Sequence, residues 1–148
     1  MACALLLSQL GGCSMPVCCA PPPALDPLEQ LNRADRIDSP VMGTLLQQAD
    51  ARIGQQQWSQ AASILERALR INSRQGEVWS RLALVSLQQG RFKQAIERAR
   101  RSSSYAGDNT ALLAANWQLM AQAYEQLGQE EKAQQARQKS QQYRESWF

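Results

Sequence analysis

Protein chemistry starts from side chains that can attack a bond, carry a proton or hold a metal, and this chain has few of them. Its 148 residues include no histidine, and its four cysteines (Cys3, Cys13, Cys18, Cys19) all fall in the first 19 residues. Without an imidazole there is no Ser-His-Asp triad and no histidine-ligated metal. From Ala20 onward there is no thiol nucleophile, disulfide or cysteine zinc site either. Cys13, Cys18 and Cys19 offer a vicinal pair and no fourth ligand, which argues against zinc near the N-terminus as well. Glu130 and Glu131 are sequence neighbours at a helix start and do not face each other. No glycine-rich phosphate loop is present. The expectation is no catalytic residue, no metal, no cofactor and no enzyme activity, with function carried by a surface.

The cysteines point to a different use. No charged residue precedes Asp26, and the apolar run from Ala4 to Leu7 leads into Leu10-Gly11-Gly12-Cys13. A short apolar segment followed by small residues has the shape of an export signal and is too short to span a membrane. Leu-Gly-Gly-Cys resembles the bacterial lipobox. That resemblance implies a signal peptide over 1–12, lipidation of Cys13, and, because Ser14 follows rather than Asp, placement in the outer membrane facing the periplasm. The bland alternative is an apolar leader on a chain that is not exported. A triacylated cysteine anchors stably, since each buried CH₂ is worth about 0.8 kcal/mol.

Residues 13–39 then read as a tether, with Pro16, Pro21, Pro22, Pro23 and Pro27 favouring extended polyproline II. At about 3.1 Å per residue it reaches at most ~80 Å. Within it, Leu25, Leu28 and Leu31 recur at helical spacing behind Asp26 and Pro27, which predicts a short helix over 27–36.

After Pro40 no proline occurs, and Ala, Leu, Gln and Arg dominate, all good helix formers. Trp58 and Phe92 are 34 apart, as are Ala61 and Ala95; Trp79 and Trp117 are 38 apart, as are Ala83 and Ala121, and Gly90 and Gly128. Helices are predicted near 40–55, 58–72, 76–89, 92–104, 109–127 and 130–146. Ser39-Pro40 supplies an N-cap and first-turn proline, and Gly90 and Gly128 sit where a helix end needs left-handed backbone. The four extra residues between the second and third units fall in Ser102–Asp108.

This order of residues resembles the tetratricopeptide repeat. Trp79, Leu82, Ala83, Gly90, Phe92, Ala95 and Ala99 carry the likeness best, and Gln56 stands where the first unit's turn glycine is usual. The resemblance implies an all-α fold over 40–148: a short right-handed solenoid of about three helix-turn-helix units (42–75, 76–109, 114–147). Terminal units expose an apolar face, and Trp147 and Phe148 are candidates to cover one.

In such repeats the first helix of each unit lines a concave groove. Carried over, that face holds Leu46, Asp50 and Ile53, then Leu84 and Leu87, then Gln118 and Gln122, a surface suited to a helix or extended peptide. Two readings stay open: a partner fills the groove, or the chain's own 25–37 segment does. From Glu66 to Arg101 nine basic residues face three acidic ones, a net +6 against +3 for the whole chain. Glu66 with Arg70, and Glu97 with Arg101, are spaced to pair along a helix. A solvated basic face is the bland reading. The sharper one is an acidic protein patch, anionic headgroups or the acidic wall polymer, with nucleic acid disfavoured for an exported chain.

The runs Glu66–Ile71, Val78–Ala83 and Arg101–Ser103 leading to Asn116–Ala121, together with the lipobox and tether, resemble tetratricopeptide outer-membrane lipoproteins of pseudomonads and related gammaproteobacteria. That likeness implies a partner: a class A penicillin-binding protein, a bifunctional peptidoglycan synthase that such lipoproteins activate. The contact is expected at the groove residues, Arg81, and Ser104 and Tyr105. The alternatives are a scaffold lipoprotein for a secretion or pilus assembly, or a direct binder of wall polymer. Oligomeric state is left open.

Overall fold

Asp26 accepts a hydrogen bond on Oδ1 from the Leu28 amide at 2.8 Å, and Pro27 follows with its φ already helical, so α1 (Pro27–Ala34) forms where the leucine spacing places it. The computed structural model describes residues 26–37 and 39–146. Six longer helices follow: α2 (Pro40–Gly54), α3 (Trp58–Ile71), α4 (Gly76–Gln88), α5 (Phe92–Tyr105), α6 (Thr110–Gln126) and α7 (Glu130–Glu145). No strand occurs among the described residues. Cys13, Trp147 and Phe148 lie outside the described residues.

Three helical hairpins stack side by side: α2 on α3, α4 on α5, and α6 on α7. Small residues make the close approach possible. Ala49, Ala61, Ala68, Ala83, Ala95, Ala99, Ala121, Ala133 and Ala136 are buried, and Leu65, Leu82, Val85, Leu119 and Met120 fill the space between them. Each hairpin turns in the same way. Arg91 N–H reaches Ser86 O at 2.9 Å and Gln129 N–H reaches Tyr124 O at 2.9 Å, closing Schellman turns through Gly90 (φ +72°) and Gly128 (φ +68°). Gln57 N–H reaches Arg52 O at 2.8 Å in the first hairpin, which forces Gln56 to φ +58° where glycine would be relaxed. The departure noted in the sequence is thus a departure in residue type and not in backbone.

The serine run closes the helix expected over 92–104 and extends it by one residue. Ser102, Ser103, Ser104 and Tyr105 finish α5, and the connecting loop is only 106–109. Tyr105 belongs to a helix end because Ser103 and Ser104 bond back to Ala99 O and Arg101 O, at 3.0 and 2.7 Å, and continue the turn.

Candidate partner-binding surface

The side of the array lined by α2, α4 and α6 is partly filled by the chain itself. α1 lies there against α4 and α6, with Leu31 and Ala34 buried in the common core and Leu28 and Ile37 partly buried against it. It runs antiparallel to α4. Its start, at Asp26 and Leu28, borders a hollow with Ile53, Gly54, Leu84 and Gln88, and its end reaches Arg81 and Asn109. Residues 26–37 therefore pack into the folded body, although the sequence placed them in a tether over 13–39; residues 13–25 lie outside the described residues.

Arg81 locks this arrangement. Its side chain is fully buried, and its guanidinium donates to carboxylates on two other elements. Nε and Nη2 reach Asp50 Oδ1 and Oδ2 of α2 at 2.7 and 3.0 Å. Nη1 and Nη2 reach Asp35 Oδ1 and Oδ2 at 2.9 and 2.8 Å, just past α1. Nη2 also meets Asn32 Oδ1 at 2.5 Å, and Nη1 the Glu77 carbonyl at 3.3 Å. Every donor of the fork is used, which is the condition for burying such a group without a large penalty. Burial alone disfavours the cation, but hydrogen bonds and charge from Asp50 and Asp35 outweigh it and hold Arg81 more firmly protonated than usual. Asp35 pays the other side: burial, helped by repulsion from Asp50, raises its carboxyl above the ordinary value despite the bonds from Arg81. At the same end Asn109 donates from Nδ2 to Ala34 O at 2.6 Å and caps α6 through Oδ1 on Leu112 N–H at 3.1 Å. Arg36 N–H meets Glu77 Oε1 at 3.3 Å, and its guanidinium meets Asp108 Oδ1 at 2.7 Å. The extra residues between units two and three thus hold down the end of α1.

These contacts correct the expected contact set. Leu46, Ile53 and Leu84 are buried beneath and beside α1 and form core there, while Leu87, also buried, sits at the floor of the hollow that holds Gln122. Arg81 is a clamp, not a contact residue, and Asp50 is its half-buried counter-ion. The third unit is more open. Gln118 is half-buried and accepts from Arg144 Nη2 at 3.3 Å, and half-buried Gln122 lines a shallow hollow with Gln88, Phe92, Glu125 and Gln126. Ser104 is exposed and Tyr105 half-buried, so both remain accessible.

Two tetratricopeptide-repeat family patterns match the chain, at residues 52–116 and 114–146. Among solved structures, the globular C-terminal domain of P. aeruginosa LpoP is 42% identical, with a TM-score of 0.67, over 72% of this chain and 99% of that one. The chain belongs to this tetratricopeptide-repeat family. No curated protein matches it. The repeat fold and the lipoprotein-type resemblance expected from Trp79, Ala83, Gly90 and the Asn116-Trp117 run are the ones found, and a repeat domain of this kind is a protein-interaction domain.

Sequence reasoning missed the polar interior of this tetratricopeptide-repeat domain. Asn116 is fully buried: its Oδ1 accepts from Ser80 Oγ at 2.5 Å, and its Nδ2 donates to Ser102 and Ser103 Oγ at 2.8 and 3.1 Å. Ser102 in turn donates to Gly76 O at 2.8 Å, which joins α4, α5 and α6. Single Asn and Ser residues on otherwise apolar helix faces were the available signal.

The convex side carries cations. The helix pairs expected for Glu66 with Arg70 and Glu97 with Arg101 do not form ion pairs; Arg101 instead lies 4.6 Å from the Trp79 ring centre, and Arg74 lies 5.9 Å from that of Tyr105. Stacking on a half-buried ring gains what an exposed ion pair would and also covers apolar surface. Arg98 is the exception. It turns inward to Ser86 Oγ at 2.7 Å, and partial burial lowers its pKa more than Glu66 raises it.

Proposed function

We propose that this chain is the non-catalytic, partner-binding domain of an outer-membrane lipoprotein held by lipidated Cys13, and that it activates a periplasmic class A penicillin-binding protein. The observation that carries this reading is the 42% identity to the LpoP domain across 99% of its length. The lipobox-like leader and the sequence resemblance to synthase-activating lipoproteins supply the finer terms. The buried Arg81 clamp adds a physical one: with α1 stapled into the groove, the third-unit face at Gln118 and Gln122, the outer helices and the α5 end, with Ser104 and Tyr105, are left to meet a partner.

Activation requires only that the domain bind the synthase's active conformation more tightly than its resting one. The test is lipid II polymerisation by the purified synthase with and without the full chain, alongside direct binding. A raised glycan rate with measurable binding is expected. No binding and no rate change would sink the reading.

A further inference from the structure

α1 enters the fold beside Gly54, Gln56 and Gln88, at the hairpin-turn end of the array, so the 25 residues before Asp26 join the body there. The opposite end carries the turn at 72–75 and the loop at 106–109. On this far half, several cations have no carboxylate. Arg67, Arg70 and Ile71 share one face of α3 by their spacing of three and four, and all three are exposed, Ile71 by 56%. Arg74 and Arg101 follow on the neighbouring turn and helix, stacked on Tyr105 and Trp79. Trp79 is itself pinned by its indole N–H to Ser73 O at 2.8 Å. Among the described residues, none of the four arginine side chains makes a hydrogen bond or ion pair to another group, while Glu97 is the one acidic neighbour on that stretch of α5.

We infer that this far-end patch (Arg67, Arg70, Ile71, Arg74, Arg101, Tyr105) docks an acidic segment of a protein partner bearing carboxylates beside an apolar residue. The inference rests on the proposed partner-binding function and names the surface. Three features favour protein over a diffuse polyanion. A guanidinium lying on a ring is held in place, with its N–H edge free in the plane for a bidentate carboxylate. Arg74 and Arg101 have that geometry, and the two other cations of the patch, Arg67 and Arg70, are also arginines. Ile71, exposed among them, gives an apolar contact that a protein segment can use and a pure polyanion cannot. Position agrees, because the patch lies at the end opposite Asp26, where the chain enters the described body.

The test uses the full chain and three variants: Arg70→Glu/Arg74→Glu, Arg101→Lys, and Lys93→Glu as a control at the near end. Binding to the purified synthase should weaken at least tenfold for the double reversal, weaken to a lesser degree for Arg101→Lys, and change under threefold for Lys93→Glu, with all melting points within a few degrees. If wild type and the double reversal bind the synthase equally, the patch is wrong and the proposed function stands. If wild type does not bind the synthase, the proposed function fails, and the patch is decided by titrating a Glu-rich peptide containing one leucine against the Trp79 indole and Tyr105 signals in NMR. Salt-sensitive shifts there support it; their absence overturns it. Arginine-dependent sedimentation with anionic vesicles or sacculi, without peptide binding, overturns the commitment to a protein partner.

Discussion

Replacing Arg81 with methionine keeps an unbranched apolar stem and removes every donor at the centre of the clamp. Asp35 and Asp50 are then left facing each other, with side chains only 24% and 16% exposed, and Asn32 loses its partner. Breaking one member of a buried ionic cluster typically costs 3–5 kcal/mol, because the orphaned charges and not the missing bonds dominate. The residual exposure of the two carboxylates, and proton uptake by one of them, place the expected loss at the lower end, about 3 kcal/mol near neutral pH. For a domain of this size that is a fall of roughly 12 °C in melting temperature. The loss should be largest in α1, which buries only Leu31 and Ala34 fully and depends on the clamp for its far end. Hydrogen exchange should therefore show amides 28–34 losing about a hundredfold in protection, or reaching the unprotected limit. Changing Asp35 and Asp50 to Asn in the same chain should recover most of the stability, since the penalty is two uncompensated carboxylates. If Arg81→Met melts within ~4 °C of wild type with α1 protection unchanged, the guanidinium is not what holds α1 in the groove.

Three further outcomes follow from the same structure. Asp35 has a folded-state carboxyl pKa above its ordinary 3.8, so the folded chain takes up its proton more readily than the unfolded one; its contribution to stability is fully present below that value and is lost as pH rises through the folded one. Wild type should thus gain stability relative to Asp35→Asn as pH falls toward 4 in urea titrations, and a relative loss would show that attraction to Arg81 outweighs burial. Gln56→Gly should relieve the positive φ and raise stability by about 0.5–1 kcal/mol, read as a 2–4 °C higher melting point; a lower one would mean the Gln side chain contributes more than its backbone strain costs. Asn116→Ala leaves the Ser80 hydroxyl and two serine oxygens short of a partner and should cost about 1–3 kcal/mol in denaturant unfolding, with a neutral result pointing to water or rotamer changes that re-satisfy them.

Much of this domain is written locally. Prolines at positions 27 and 40, glycines at 90 and 128, and the 34- and 38-residue spacings of Trp and Ala set where helices start, where they turn and which faces are apolar. Those features act over one helical turn or between adjacent helices, so a linear reading recovers them. The candidate site was less legible. Periodicity marks Leu46, Ile53, Leu84 and Leu87 as an apolar face without saying what covers it, and both occupants fit the same pattern. Arg81 looks solvated in the sequence because its two counter-ions lie 31 and 46 residues away.

Sequence alone determined the repeat, its register, the lack of histidine and the run of cations from Arg67 to Arg101. Tertiary structure decided which of those cations is interior and which are outside. Burying a guanidinium is tolerable only where carboxylates from separate elements converge on it, and convergence is a property of packing that no single segment carries.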